Sequence, residues 1–159
     1  MEMDVEFWGK RLVELLREKR SRANDQELVA LVYQPVDSSH SNFLPVLFSA
    51  YESNLDSSIL QGFWNALGRA SPDKYYITLA KMIANIYQIN PDRAVELLHF
   101  PGLQPSKSDQ IEYFRKFLSS LDDVEIANKL SNRIVQLQLI NDQPWNTFCQ
   151  ILKERYGGE

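Results

Sequence analysis

Three carboxylates cluster at the start of a predicted helix. Asp122, Asp123 and Glu125 stand within four positions, and such a group can bind Mg²⁺ or act as an acid and a base. Acidic side chains are also favoured in the first turn of any helix, because the backbone dipole leaves partial positive charge there. We adopt this second interpretation, so we expect no catalytic residue, no metal ion and no cofactor. An enzyme that uses these three acids with a divalent ion is the alternative.

The other residues with chemical potential are few. Cys149 is the only cysteine and follows Phe148 in an apolar stripe, which indicates a buried structural thiol and not a nucleophile. Neither of the two histidines, His40 and His99, has a second ligand at a spacing typical of metal sites. The six glycines are scattered, whereas a phosphate-binding loop needs glycines close together. These patterns favour a protein that is not an enzyme.

A basic segment of 13 residues is the strongest feature of the sequence. Its six cations are Lys10, Arg11, Arg17, Lys19, Arg20 and Arg22. Only Glu14 and Glu18 oppose them, so the segment has a net charge of +4, whereas the whole chain has −4 and the remaining residues therefore −8. Such cations can bind the phosphate groups of a nucleic acid without reading its bases.

Two other interpretations of the basic segment stay open. On a helix, Lys10, Glu14 and Arg17 lie near one polar face, and Glu18 with Arg22 is a favourable pair four residues apart. The segment is then a solvated face with ion pairs, whose last cations complement the negative end of a helix dipole. An acidic protein is the remaining candidate partner.

Two smaller basic pairs are further candidates for contact with nucleic acid or an acidic partner. They are Arg115 with Lys116, and Lys129 with Arg133. Arg115 and Lys116 stand between two phenylalanines, and aromatic rings beside cations can stack on bases, although at helical spacing such rings more often belong to a core. Lys129 and Arg133 are four residues apart and repel each other unless an acid neutralises them. We favour an acid from a neighbouring helix as the neutralising group, and an anionic partner is the alternative.

Apolar residues at helical spacing indicate the elements that position these groups. Trp8, Leu12 and Leu15 repeat on one helix face, and similar stripes follow along the chain. Two segments, Ser71-Pro72-Asp73 and Asn90-Pro91-Asp92, are typical helix starts, because each combines a capping side chain with proline at the first helical position. No stretch alternates polar and apolar residues for long enough to predict a strand.

Capping residues predict several boundaries between helices. We expect Asn24, Ser108 and Asp122 to stand at helix starts and Gly68 to end a helix. Residues 35–42 and 101–107 are predicted loops, and we expect these to be the most mobile segments. The prediction is an all-α fold, a compact single domain of about eight or nine short to medium helices over residues 1–159.

Length and composition agree with an ordinary globular protein. The 159 residues are 44% hydrophobic and 24% charged, which favours one domain with a substantial core. The acidic start has no apolar run behind it, and no window of about 18 apolar residues exists, so we expect neither a secretory signal nor a membrane span. A cytoplasmic location is the simplest expectation. The mildly acidic total disfavours a nucleic-acid binder that acts alone.

One family shares these features in combination. The chain is a compact all-α sequence without evident chemistry, it opens with an aromatic-bearing helix (Phe7-Trp8), continues into the basic segment Lys10 to Arg22, and stays helical over Trp145 to Tyr156. In this it resembles the helical small subunits of CRISPR interference complexes, which serve antiviral defence. The resemblance implies a subunit that is not an enzyme, packs on its own copies and on a large subunit, and offers basic residues to nucleic-acid strands.

The sequence therefore leads to two hypotheses about function. The first is a non-catalytic helical subunit of a larger ribonucleoprotein assembly, with other protein subunits and its own copies as partners, and with a basic helix against the backbone of DNA or RNA. The alternative is a helical-hairpin adaptor with no nucleic-acid role. It would bind a peptide or protein helix in an exposed apolar groove lined by Tyr75, Tyr87 or Phe100.

Overall fold

The computed structural model describes residues 5–19, 21–32, 43–52, 55–121 and 123–157. Over these ranges the protein is all-α, with nine α-helices and no strand, which confirms the predicted fold class. The helices are α1 Val5–Arg17, α2 Arg22–Val32, α3 Phe43–Ser49, α4 Ser57–Leu67, α5 Pro72–Ile89, α6 Pro91–Leu97, α7 Lys107–Ser120, α8 Glu125–Gln136 and α9 Trp145–Leu152. A short 3₁₀ turn, Ala50–Glu52, follows α3, and a π-helical turn, Lys153–Gly157, follows α9.

The helices fall into two compact units. The first unit spans Met1–Ala70 and contains α1 to α4, and the second spans Ser71–Glu159 and contains α5 to α9. That the two belong to a single domain stays a prediction. In the part of the chain that the structure describes, no helix is long and apolar enough to cross a membrane.

The core of the first unit forms around α1. Its predicted stripe of Trp8, Leu12 and Leu15 is fully buried, and α1 packs against both α2 and α3. The Trp8 indole Nε1 donates a hydrogen bond of 2.7 Å to the carbonyl oxygen of Leu31 on α2. Burial of the ring thus joins apolar packing to a hydrogen bond that fixes α2 against α1.

Gly9 lies where α1 approaches α3. A Cβ atom added at Gly9 would lie 3.3 Å from Cγ2 of Val46, closer than ordinary van der Waals contact. An alanine at this position would therefore require the Val46 side chain to shift by a few tenths of an ångström.

Several predicted helix boundaries are confirmed. The Ser71 hydroxyl accepts from the backbone N–H of Lys74 before Pro72 opens α5. The Asn90 side chain accepts from two backbone N–H groups at the start of α6, and Gly68 ends α4. These positions were readable because a short polar cap and a proline act locally.

Other boundaries were predicted wrongly by a few residues. Ser106 and not Ser108 caps α7, accepting from the N–H of Asp109. At α2 the accepting hydroxyl belongs to Ser21, whereas Asn24 donates its backbone N–H to it. In both cases a second cap-forming residue stands within three positions, so the sequence offers two possible helix starts.

An aromatic cluster fills the second unit. Its members come from α5, α7, α9 and the segment after α6, and they are Tyr75, Tyr76, Phe100, Phe114, Phe117 and Phe148, all essentially buried. Their rings meet edge to face, as in the contact of Tyr76 with Phe114 at 5.4 Å between centroids, which is the favoured geometry for aromatic pairs. The hydroxyls of Tyr75 and Tyr76 donate to the carbonyl oxygens of Leu97 and Leu98 at 2.7 and 2.6 Å. The cluster therefore joins α5 to the end of α6.

Candidate functional site

The basic segment lies within the first unit. Lys10, Arg11 and Arg17 belong to α1, Lys19 lies in the turn that follows, and Arg22 opens α2. Arg20 lies outside the described residues. The helix breaks between Arg17 and Arg22, so the ion pair predicted between Glu18 and Arg22 on one continuous helix is wrong.

Arg11 is already neutralised by acids of its own unit. Its Nε and Nη2 atoms donate to the two oxygens of Glu27 on α2 at 2.5 and 2.7 Å. Its Nη1 atom lies 3.1 Å from Glu14 and 3.8 Å from Glu18. The bond to Glu27 raises the pKa of Arg11, and the guanidinium in turn holds the pKa of the Glu27 carboxyl below its usual value. Arg11 therefore fastens α2 to α1 and has little left to offer a phosphate.

Four other cations of the segment behave differently. We call them the basic edge, and they are Lys10, Arg17, Lys19 and Arg22. All four are exposed. None forms an ion pair with another residue of the part of the chain that the structure describes, so their charge is available to a partner.

An open groove of about 540 Å³ runs between α1 and α3 beside the basic edge. Lys10 and Arg17 line it together with the carboxylates of Glu6 and Glu14, and Gly9, Val13, Pro45 and Val46 supply its less polar wall. The wall has cations and acids in alternation. The cations of the basic edge on α1 are therefore flanked by carboxylates.

The smaller basic pairs of the second unit are mostly neutralised. Arg115 pairs with Glu112 at 2.6 Å, Lys116 with Asp73 of α5 at 2.5 Å, and Arg133 with Asp92 of α6 at 2.6 Å. An acid from a neighbouring helix thus accompanies Arg133, as the sequence favoured. Lys129 is exposed and has no ion pair with any described residue. A role in binding for Arg115, Lys116, Lys129 and Arg133 stays a prediction.

Two of the three aromatic residues predicted to line an adaptor groove are not at the surface. Tyr75 and Phe100 are buried, with their rings in edge-to-face contact at 5.1 Å. Tyr87 is partly exposed, and its hydroxyl lies 3.5 Å from the Lys129 carbonyl oxygen. The expectation therefore fails for Tyr75 and Phe100, whose rings belong to the aromatic cluster of the core. Tyr87 is left as the candidate lining residue, and the adaptor stays an alternative.

Cys149 is half-buried and not fully buried as predicted, and it lines an open pocket with Ser131 and Lys153. Burial raises the pKa of its thiol, although the contact with the Ser131 hydroxyl at 3.6 Å lowers it slightly. A protonated thiol is a poor nucleophile. His99 is partly exposed and meets the edge of the Trp145 ring at 5.6 Å between centroids. His40 lies outside the described residues.

The acidic cluster stands at the start of α8, where Val124 holds the N-cap position without a side-chain cap bond. The Asp123 carboxylate accepts from the backbone N–H of Glu125 at 3.0 Å, and Asp122 lies outside the described residues. Across the described ranges, no group of three or more His, Cys, Asp or Glu side chains could hold a metal ion.

Comparison with known proteins gives no relative. Searches against protein-family models, curated proteins and solved structures found no match.

Two features of the first unit were not predicted from the sequence, namely the role of Glu27 and the exposure of Phe7. Glu27 was read only as part of a helix start. Its pairing with Arg11 was missed, because the two residues are 16 positions apart and such a pair leaves no local signal. Phe7 is 63% exposed. The sequence does contain a signal for this exposure. Phe7 stands one position before Trp8, the first residue of the buried stripe, and one position along a helix turns a side chain by about 100°.

Proposed function

We propose that the chain is a non-catalytic helical subunit of a larger assembly, and that its basic edge contacts the phosphate backbone of a nucleic acid. The observation that carries the proposal is the unequal pairing of the predicted cations. Arg11, Arg115, Lys116 and Arg133 each meet an acid. Lys10, Arg17, Lys19 and Arg22 are exposed and meet no acid among the residues that the structure describes, and unpaired cations cost least to bring against phosphates.

The turn between α1 and α2 is the favoured position for a phosphate. Arg17 ends α1, Lys19 lies in the turn and Arg22 begins α2, so three cations stand within six positions. The start of α2 adds the positive end of an 11-residue helix. Such a site binds the backbone without base specificity.

Because the chain has a net charge of −4, we expect it to bind nucleic acid together with the other subunits of an assembly and not alone. A surface that binds nucleic acid by itself is more basic over its whole area. In an assembly, neighbouring subunits supply further cations and hold the strand in place, so a few unpaired cations contribute at high local concentration. A CRISPR interference complex, which the sequence resemblance implies, is the assembly that we propose.

The non-catalytic part of the proposal is supported by the condition of the candidate groups. The Cys149 thiol has a raised pKa, and the Asp123 carboxylate accepts from the backbone N–H of Glu125. Neither is an activated group, so the surface of the first unit is the better candidate for function.

The proposal predicts weak nucleic-acid binding that depends strongly on salt. Fluorescence anisotropy with a labelled mixed-sequence oligonucleotide, single-stranded and duplex, should give a slope of log K against log salt of about −3 to −4, as four phosphate contacts require. The variant K19Q/R22Q should reduce the slope by about 2 and weaken binding about tenfold at low salt.

The matched control is K81Q/K107Q. Lys81 and Lys107 are exposed cations of the second unit, so the control changes the net charge equally and should leave the slope unchanged. Equal weakening by both double variants would show that only total charge matters and would refute a localised contact. No binding of either oligonucleotide at low salt would remove the nucleic-acid part of the proposal altogether.

A further inference from the structure

The outer face of α1 bears a stripe of four exposed residues with regular spacing. We call Phe7, Lys10, Glu14 and Arg17 the outer stripe, and all four are exposed. They are separated by three, four and three positions, which is the spacing that places residues in one seam along a helix. The buried stripe of Trp8, Leu12 and Leu15 occupies the opposite face.

The outer stripe leaves an aromatic ring in water. Phe7 is 63% exposed, whereas the phenylalanines of the aromatic cluster are buried. A partner that covers this ring gains apolar burial. A partner that also carries a cation at the right distance gains an attraction to the ring face.

The order of the four residues is complementary to itself when reversed. If two copies of α1 lie antiparallel with a two-fold axis at the level of Leu12, Lys10 of each copy faces Glu14 of the other. Phe7 of each copy faces Arg17 of the other, because both pairs are symmetric about position 12. A parallel pairing would instead place Lys10 against Lys10 and Glu14 against Glu14.

We propose that the outer stripe is a self-association surface that binds the outer stripe of a second copy of this chain in antiparallel, two-fold symmetric fashion. Each of the four residues then meets one complementary residue of the other copy, and each contact occurs twice in the pair, as an isologous interface requires. Glu14 can take part while bound to Arg11, because that bond uses Oε2, and its Oε1 atom faces no donor among the described residues.

The size of the surface sets the strength of the pairing. A helix of 13 residues is about 20 Å long, and a seam of this length buries less than a standard stable interface. We therefore expect a dissociation constant on the order of 100 μM, weakened by salt, because Coulomb pairs at the surface are screened. Within an assembly, a high local concentration would make such a pairing sufficient.

This inference names a surface for the contact between copies that the sequence resemblance implies, and it does not depend on binding to nucleic acid. Lys19 and Arg22 lie outside the outer stripe and stay accessible in the pair. Lys10 and Arg17 belong to both surfaces, so a paired chain keeps only Lys19 and Arg22 for a phosphate, whereas the monomer offers all four cations. Either contact can be correct without the other.

Two charge reversals test the pairing in sedimentation equilibrium experiments. K10E brings a second carboxylate against Glu14 of the other copy, and E14K brings two lysines together, so each variant alone should associate at least tenfold more weakly than the wild type. An equimolar mixture of the two should form a heterodimer at least as tight as the wild-type dimer, because the opposed charges are then complementary. The double variant K10E/E14K should recover self-association.

The control variant is K81E, a charge reversal at an exposed position of α5, which should leave the association unchanged. A wild-type chain that stays monomeric at several hundred micromolar would overturn the inference. A mixture of K10E with E14K that associates no better than each variant alone would overturn it as well. Circular dichroism of each variant verifies that these surface changes leave the helices intact.

The same variants separate this inference from the proposed function. K19Q/R22Q should lose oligonucleotide affinity and keep wild-type self-association. E14K at concentrations far below the dissociation constant should keep oligonucleotide binding. If K19Q/R22Q dissociates the dimer as strongly as K10E does, the outer stripe is not the contact surface.

Discussion

Replacement of Trp8 by alanine is expected to lower the free energy of unfolding of the first unit by about 3–5 kcal/mol, the largest effect of any single change in α1. The indole is fully buried between α1 and α2, so its removal leaves a cavity. It also removes the bond from Nε1 to the Leu31 carbonyl oxygen at 2.7 Å. A buried acceptor without a donor adds a cost of about 1–3 kcal/mol if water does not replace the indole.

The adjacent Phe7 provides the matched control. F7A removes an aromatic side chain from the same helix, but its ring is 63% exposed, so unfolding should change by less than about 0.5 kcal/mol in dilute protein. Urea unfolding followed by far-UV circular dichroism measures both, and hydrogen exchange of the α1 and α2 amides assigns the loss to the first unit. Equal stability of W8A and F7A would contradict the described packing of α1.

Replacement of Tyr76 by phenylalanine is expected to lower the free energy of unfolding of the second unit by about 2–4 kcal/mol, although the change removes one oxygen atom. The hydroxyl donates to the Leu98 carbonyl oxygen at 2.6 Å and accepts from Nε2 of Gln110 at 3.1 Å. Burial raises the pKa of this phenol. Because both partners are buried, Y76F leaves a donor and an acceptor unpaired, and each costs about 1–3 kcal/mol.

Two companion variants make the Tyr76 prediction specific. Y113F removes the hydroxyl of a tyrosine whose ring stacks on Tyr76 at 5.9 Å but whose oxygen bonds to none of the described residues, so we expect it to be nearly neutral. In the Y76F background, Q110L removes the stranded amide and should recover part of the loss, because an apolar pair needs no hydrogen bond. Calorimetry measures the unfolding of both variants. If Y76F and Y113F lose the same free energy of unfolding, the hydrogen bonds of the Tyr76 hydroxyl do not stabilise the fold.

The fold class was predictable because its signals are local. Buried stripes at helical spacing, such as Trp8 with Leu12 and Leu15, identify helices before any contact between them is known. Pro72 and Pro91 fixed two starts to the residue. The errors at α2 and α7 have a common cause, since Ser21 competes with Asn24 and Ser106 with Ser108, and the sequence alone does not rank adjacent caps.

The candidate surface was predictable only in part. Counting charges located the basic segment from Lys10 to Arg22, because a local excess of cations is a property of sequence. Which cations are neutralised depends on residues far along the chain, as when Arg11 meets Glu27 and Arg133 meets Asp92 across 41 positions. Such pairings arise from helix packing and leave no periodic pattern behind.

The division between paired and unpaired cations also changes the balance between the two sequence hypotheses. Burial removes Tyr75 and Phe100 from the adaptor groove, whereas Tyr87 is partly exposed and stays a candidate. The groove beside Lys10 and Arg17 mixes both signs of charge. Binding to a phosphate backbone is therefore best placed at the turn that holds Lys19, and pairing with a protein helix is best placed along α1.

The most direct test of the proposed binding function is chemical-shift mapping of the ¹⁵N-labelled chain during titration with an oligonucleotide at low salt. Binding through the basic edge predicts that the backbone amides of residues 17–19 and 21–23 shift first and furthest, that Lys10 follows, and that added salt reverses the changes. Shifts centred on Arg115, Lys116 or Arg133 would contradict the account, because those cations are paired within the fold. A spectrum that the oligonucleotide leaves unchanged would contradict it equally.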